Sequence, residues 1–182
     1  WVAAVVPNTR GGRRAHPPKV LSMINTLKIN KKELQIALMS AISATANAAM
    51  VFSRYARLTD KKVLNTPYIV ENKITTLKTK DLLNSVEAIL GKELFSLAIQ
   101  TKKVRSGKGK LRGRKYKSNQ GLLLVIGEKE SIKTTAFDIT TSKSLGVNDL
   151  AQGSPGRITI YTESAIKELG EKFKWNQKQE LD

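Results

Sequence analysis

The sequence predicts an α/β fold: a three-layer domain with a largely parallel sheet of about four strands, plus a long extended basic loop. Three observations predict it. Short apolar runs of strand type alternate with segments of helical period, the pattern of parallel strands joined by helical crossovers. The best strand, Gly121-Leu-Leu-Leu-Val-Ile-Gly127, is apolar at every interior position, so both its faces must be covered. The basic residues crowd into two windows that contain no acid.

The 182 residues suit one domain of ordinary size with extensions. Residues 1–29 stand outside it. Val2 to Val6 is apolar, but Pro7 to Lys19 follows with two Gly and a Pro pair and has neither a period of 2 nor one of 3.6. Alone in water it cannot bury enough to offset its ordering entropy, so it is expected to order only against a partner of opposite charge.

The globular part is read as residues 30–173. Asn30, with Glu33 three residues on, predicts a capped helix start. Leu34, Leu38, Ala41, Ile42, Thr45, Ala48 and Ala49 form its apolar face, and it is expected to fade near Met50. Pro67 to Val70 reads as a short strand. Thr79 is expected to cap a helix carrying Leu82, Leu83, Val86, Ile89 and Leu90 inward, closed by Gly91. Leu94 to Ile99 reads as a second short helix or a strand. After the central strand, Ser131 to Ala136 reads as a short helix and Ile158 to Tyr161 as a strand. Thr162 then caps a helix through Ala165, Ile166 and Leu169, and residues 174–182 read as a polar tail. No internal repeat of 20 to 50 residues is present.

Charge narrows the function. There are 32 Lys and Arg against 15 Asp and Glu, a net charge of +17. Residues 1–32 hold seven bases and no acid, and residues 94–127 hold nine more and no acid. The remaining sixteen bases face all fifteen acids, so the excess lies in two segments. A solvated surface would interleave acids. A bare run of like charge repels itself unless an anion neutralises it, which points to a nucleic acid.

Other classes fall away. With no cysteine and one histidine, the chain has no thiol chemistry, disulfide or multi-histidine metal site. No metal or cofactor is expected. No run of about 18 apolar residues is available to span a membrane, and no signal peptide pattern opens the chain, which reads as intracellular.

The segment Arg105-Ser-Gly-Lys-Gly-Lys-Leu-Arg-Gly-Arg-Lys-Tyr-Lys117 invites a nucleotide-loop reading. It lacks the Gly-Lys-Ser/Thr end of a P-loop, and its third glycine, Gly113, is one place late for the dinucleotide fingerprint. It is better read, from residue 102 on, as an RNA-binding loop. Lys102, Lys103, Lys108, Lys110, Lys115 and Lys117 supply point charge, while Arg105, Arg112 and Arg114 can fork onto phosphate or stack on a base. Gly107, Gly109 and Gly113 allow close backbone approach. Tyr116 either stacks on a base or packs under the loop. Arg54 and Arg57, three apart, either reach a phosphate or are ordinary surface charge. His16, with Glu33 its nearest acid in sequence, is read as a stacking or hydrogen-bonding residue rather than a catalytic one. No set of nucleophile, base and oxyanion donors can be assembled, so no enzymatic activity is expected.

Three stretches carry a resemblance: Gly-Gly-Arg-Arg-Ala-His-Pro-Pro-Lys at 11–19, Lys103 to Lys117, and Pro-Gly-Arg-Ile-Thr-Ile-Tyr-Thr-Glu-Ser-Ala at 155–165. In this order they resemble the large-subunit ribosomal protein four family, in its archaeal-type branch, from about Pro7 to Leu169. The resemblance implies a non-enzymatic, cytoplasmic structural component of the ribosome. It also implies large-subunit rRNA of the 23S type and neighbouring ribosomal proteins as partners, and a role in subunit assembly. Residues 1–29 would be the returning limb of an extended loop that penetrates rRNA toward the peptide exit tunnel, with the nascent chain as a further contact. Arg10, Arg13, Arg14, His16 and Lys19 would meet phosphates there, with Gly11 and Gly12 giving close approach. Residues 102–117 would be the second rRNA-binding segment. The family's usual N-terminal segment is expected to be missing from this sequence, which begins at Trp1. A free-standing regulator that binds an mRNA leader is the alternative use of the same basic segments.

Overall fold

A computed structural model describes residue 16 and residues 19–24, 27–55, 58 and 65–179, with side chains through Phe173. Its elements run α1 (Val20–Met23), α2 (Lys31–Ala46), α3 (Ala48–Arg54), β1 (Tyr68–Val70), a 3-10 turn (Asn72–Thr76) and α4 (Thr79–Ala98). Then come β2 (Lys102–Val104), a 3-10 turn (Lys108–Leu111), β3 (Tyr116–Ser118), β4 (Leu123–Ile126), β5 (Asp138–Thr141), α5 (Val147–Ala151), β6 (Thr159–Thr162) and α6 (Glu163–Gln179).

Four strands form one sheet in the order β1-β6-β4-β5, and every pairing is parallel. Strand β4 is the expected central strand, and all four of its residues are buried. Its side chains alternate between two cores, as a period of 2 requires. Leu122, Leu124 and Ile126 join Leu82, Val86, Leu90 and Leu94 of α4 on one side. Leu123 and Val125 join Leu38 and Ala41 of α2, Leu150 of α5, and Ala165 and Leu169 of α6 on the other. The three-layer α/β expectation therefore holds.

Where elements differ from the sequence reading, local chemistry explains the difference. Asn30 does cap α2, accepting from the Lys32 N–H at 3.1 Å. The helix does not run to Met50: it ends at Ala46, and α3 leaves at 90°. Asn47 makes the corner, because its N–H donates to Ala44 O while its Oδ1 accepts from the Ala49 N–H. One residue thus satisfies the end of one helix and the start of the next. Leu34 and Ile89, expected inside, are 48% and 39% exposed. Thr79 is the first helical residue of α4, not its cap, which is Lys78. Gly91 does break the helix, at φ +78, and residues 92–98 form the second short helix.

Ser131 to Ala136 is not a helix. Thr134 Oγ1 accepts the Ala136 N–H at 3.2 Å, and Ala136 O is taken by the Gln100 N–H at 2.9 Å. Both bonds engage the segment's backbone outside a helix, with a bend at 135–137, and short polar side chains compete with a helix in this way. The segment leads into β5, which the sequence reading did not anticipate; nor did it anticipate α5. Thr162 caps α6 as expected, its Oγ1 accepting from the Ala165 N–H at 3.3 Å. The backbone of α6 continues through residues 174–179, part of the segment read as a tail.

The carboxyl edge of a parallel sheet is where such folds commonly seat ligands. Here the protein's own carboxylates occupy it. Glu168 accepts the Glu128 N–H at 3.0 Å and the Ser142 hydroxyl. Glu130 accepts from the Gly127 N–H, Thr162 Oγ1 and Ser164 Oγ at 2.9 to 3.1 Å. Among the described residues no group of three or more His, Asp or Glu is placed to hold a metal, and no single helix is long and apolar enough to cross a membrane.

Candidate nucleic-acid interface

The basic segment 102–117 is an arm. Strands β2 and β3 pair antiparallel in the register Lys102↔Ser118, Lys103↔Lys117 and Val104↔Tyr116. The ladder continues with the Arg105 N–H donating to Lys115 O at 2.8 Å. The tip then turns through the 3-10 segment, where Gly109 O accepts both the Arg112 and the Arg114 N–H at 3.1 Å. Gly107 and Gly113 bracket this turn at φ +86 and +76, so glycine is needed at both for the backbone conformation itself.

Alternation gives the ribbon two faces. Lys103, Arg105, Lys115 and Lys117 fall on one, and Lys102, Val104, Tyr116 and Ser118 on the other. The Tyr116 ring is 46% exposed, and Lys102 Nζ lies 4.3 Å from its centre. Of the two readings of Tyr116, packing under the arm is not what is seen: the ring stands at the surface, braced by a lysine and open to stacking. All nine bases of the arm are exposed, and among the described residues none sits in an ion pair. A charged face of this kind attracts a polyanion and is not neutralised from within.

The base of the arm is clamped to the body. Asn119 Oδ1 accepts the Thr101 N–H at 2.6 Å, and its Nδ2 donates to Ile99 O at 3.0 Å. The Leu122 N–H donates to Ala98 O at 2.8 Å. This contact is close enough that a Cβ on Gly121 would lie 2.0 Å from the same oxygen, so only glycine fits where β3 returns to the core. Gln100 bonds to the Asp138 carboxylate, which also pairs with Arg157. Arg157 is 2% exposed, and its guanidinium donates to Gly121 O at 2.9 Å and Asp149 O at 2.8 Å. Sequence reasoning missed this residue. Its signal was a lone base directly before an apolar strand.

The remaining sequence candidates divide. Arg54 is neither free surface charge nor fully buried. Its Nη2 donates to Gln120 Oε1 at 2.8 Å and Gln152 O at 3.1 Å, and its Nη1 has no partner among the described residues. Burial lowers the pKa of its guanidinium, an effect partly opposed by the adjacent Tyr55. His16 and Lys19 are exposed, and Lys19 O receives the Ser22 N–H at the start of α1. Arg10, Gly11, Gly12, Arg13, Arg14 and Arg57 lie outside the described residues.

Comparison with known proteins agrees with this arrangement. The model of the "Ribosomal protein L4/L1 family" matches residues 3–172. The chain is 42% identical over 178 residues to large ribosomal subunit protein uL4 of Methanocaldococcus jannaschii, covering 94% of this chain and 69% of that one. It is 39% identical over 181 residues to the uL4 of Methanosphaera stadtmanae, covering 96% and 69%, and 40% identical over 176 residues to that of Archaeoglobus fulgidus, covering 93% and 68%. The match takes in the basic N-terminal segment, the cationic arm and the sheet that carries it: the chain belongs to the ribosomal protein L4/L1 family.

Proposed function

We propose that this chain is a structural constituent of the large ribosomal subunit and that it grips the subunit's rRNA with the arm at 102–117. The relatives are large-subunit proteins by name, and the family is structural rather than enzymatic. The observation that carries the rRNA reading is the arm itself: nine exposed bases without ion-pair partners among the described residues, on a ribbon whose base is clamped to the core. A clamped ribbon loses little entropy on binding, so more of its charge becomes affinity. The face with Lys103, Arg105, Lys115 and Lys117 meets phosphates, which position the protein but carry no sequence information. The opposite face offers Tyr116 to an unpaired base.

Binding of this kind stabilises one rRNA fold and so favours assembly of the subunit, beside neighbouring ribosomal proteins in the cytoplasm. Residues 1–29, with five bases and no acid, serve as an extended limb that enters rRNA where a folded domain does not fit. Arg10, Arg13, Arg14, His16 and Lys19 then face rRNA, with Gly11 and Gly12 at close approach, and the limb leads toward the exit tunnel and the nascent chain. Arg57 is read, by its spacing from Arg54 in sequence, as a further rRNA contact.

The test is selectivity at fixed salt. At 0.15 M salt the full chain binds folded large-subunit rRNA at least about 10³-fold more tightly than bulk RNA, the lower end for specific recognition. Equal affinity for both would reduce the protein to a general polycation. Tightest binding to an mRNA leader would make it a regulator instead.

A further inference from the structure

A cleft of about 500 Å³ opens where the arm leaves the body, between the end of α3 and the base of β2 and β3. Among the described residues its walls carry three cations, Arg54, Lys103 and Lys117, and no carboxylate. Lys103 and Lys117 are direct cross-strand partners, an arrangement that costs stability when both are charged and unneutralised. Among the described residues Arg54 is held by neutral groups only, Gln120 Oε1 and Gln152 O, and its Nη1 is shielded with no partner. The cleft's amides are already engaged: Asn119 holds the arm's base, and Gln120 bonds Arg54 and Gln152. The unmet demand in the cleft is therefore for negative charge, not for hydrogen-bond readout.

We propose that this cleft holds a phosphodiester of the RNA strand, with Lys103 and Lys117 contacting the phosphate and Arg54 supplying fixed positive charge behind it. The inference rests on the arm being an rRNA-binding element and adds a second anchor to it, at the junction with the body. A strand seated there is gripped between arm and domain, which fixes the angle at which the arm enters the RNA. Because Arg54 is oriented by two hydrogen bonds, its role depends on the guanidinium fork and not on charge alone.

Lysine acylation of the full chain, read by mass spectrometry, tests it on the protein alone, with a large-subunit rRNA transcript, and with inorganic phosphate at matched ionic strength. The transcript is expected to protect Lys103 and Lys117 together with the tip lysines Lys108 and Lys110, and phosphate alone to protect none. The Lys103→Gln/Lys117→Gln variant, both positions exposed and safe for folding, is expected to flatten the salt slope by about 1.4 and lose roughly 25-fold in affinity at 0.1 M salt, taking single-strand counterion release. Arg54→Lys is expected to weaken binding although it keeps the charge. Protection of the tip lysines with Lys103 and Lys117 still reactive would leave the cleft empty and overturn the inference, together with the assignment of these two lysines to phosphate, while the RNA role of the arm's tip would stand. Protection of neither pair would overturn both. Equal protection by inorganic phosphate would make the cleft a free-anion site and not an RNA anchor.

Discussion

Replacing Lys108, Lys110, Arg112 and Arg114 together with glutamine is expected to lower affinity for large-subunit rRNA by about 10² to 10³-fold at 0.1 M salt. Each phosphate neutralised on a single strand contributes about 0.7 to the slope of log affinity against log salt, so four contacts contribute about 2.8. The thermal midpoint should not fall, because all four side chains are exposed and make no ion pair among the described residues. It should even rise slightly as self-repulsion is relieved. The turn survives the change, since it is set by backbone bonds to Gly109 O and by Gly107 and Gly113. A titration of rRNA across 50 to 400 mM salt measures the slope. An unchanged slope would mean that the tip faces solvent in the complex.

Arg157→Met is expected to have the largest effect on stability, about 3 kcal/mol or more. It removes the donor from Gly121 O, Leu122 O and Asp149 O, and it strips Asp138 of its charge partner. Methionine fills much of the volume but satisfies none of these acceptors; Leu122 O keeps the Asp138 N–H at 3.3 Å, while Gly121 O and Asp149 O lose the guanidinium, and buried acceptors left unpaired are the costly outcome. The Asp138 side chain is 43% exposed and can regain water, which places the cost toward the lower end of the range for broken buried pairs. The loss is a large share of the stability of an ordinary domain. Urea unfolding of the full chain measures it, and a change below 1 kcal/mol would show that these acceptors find other donors. Because Asp138 also holds Gln100 at the foot of the arm, the variant should speed amide exchange in β2 and β3 beyond what global unfolding explains.

The comparison of sequence and structure separates what is local from what is not. The central strand was legible because seven consecutive residues state its burial and its ends. The start of α2 was legible because Asn30 acts on a neighbour two residues away. The corner at Asn47 was within reach, since an Asn amid alanines can cap a new helix, but the continuing apolar face hid it. Strand β5 was not legible. Asp138 to Thr141 is only half-buried, and it is a strand because β4 offers it a parallel edge. The arm's chemistry was plain in its acid-free run of bases. Its two faces were not, because they depend on the register that puts Lys103 opposite Lys117. Arg157 was missed for the same reason: its partners lie in β5, in α5 and before β4, and no spacing connects them.

The central claim is that this chain is an integral, rRNA-bound part of the large subunit. Sedimentation of tagged protein from cell extract through a high-salt gradient tests it most directly. Each phosphate contact weakens with salt, but an arm enclosed by folded rRNA is released slowly, so the protein is expected to stay with the large subunit at one copy each, even where loosely bound factors wash off. Recovery at the top of the gradient, with the subunits depleted of it, would contradict the account.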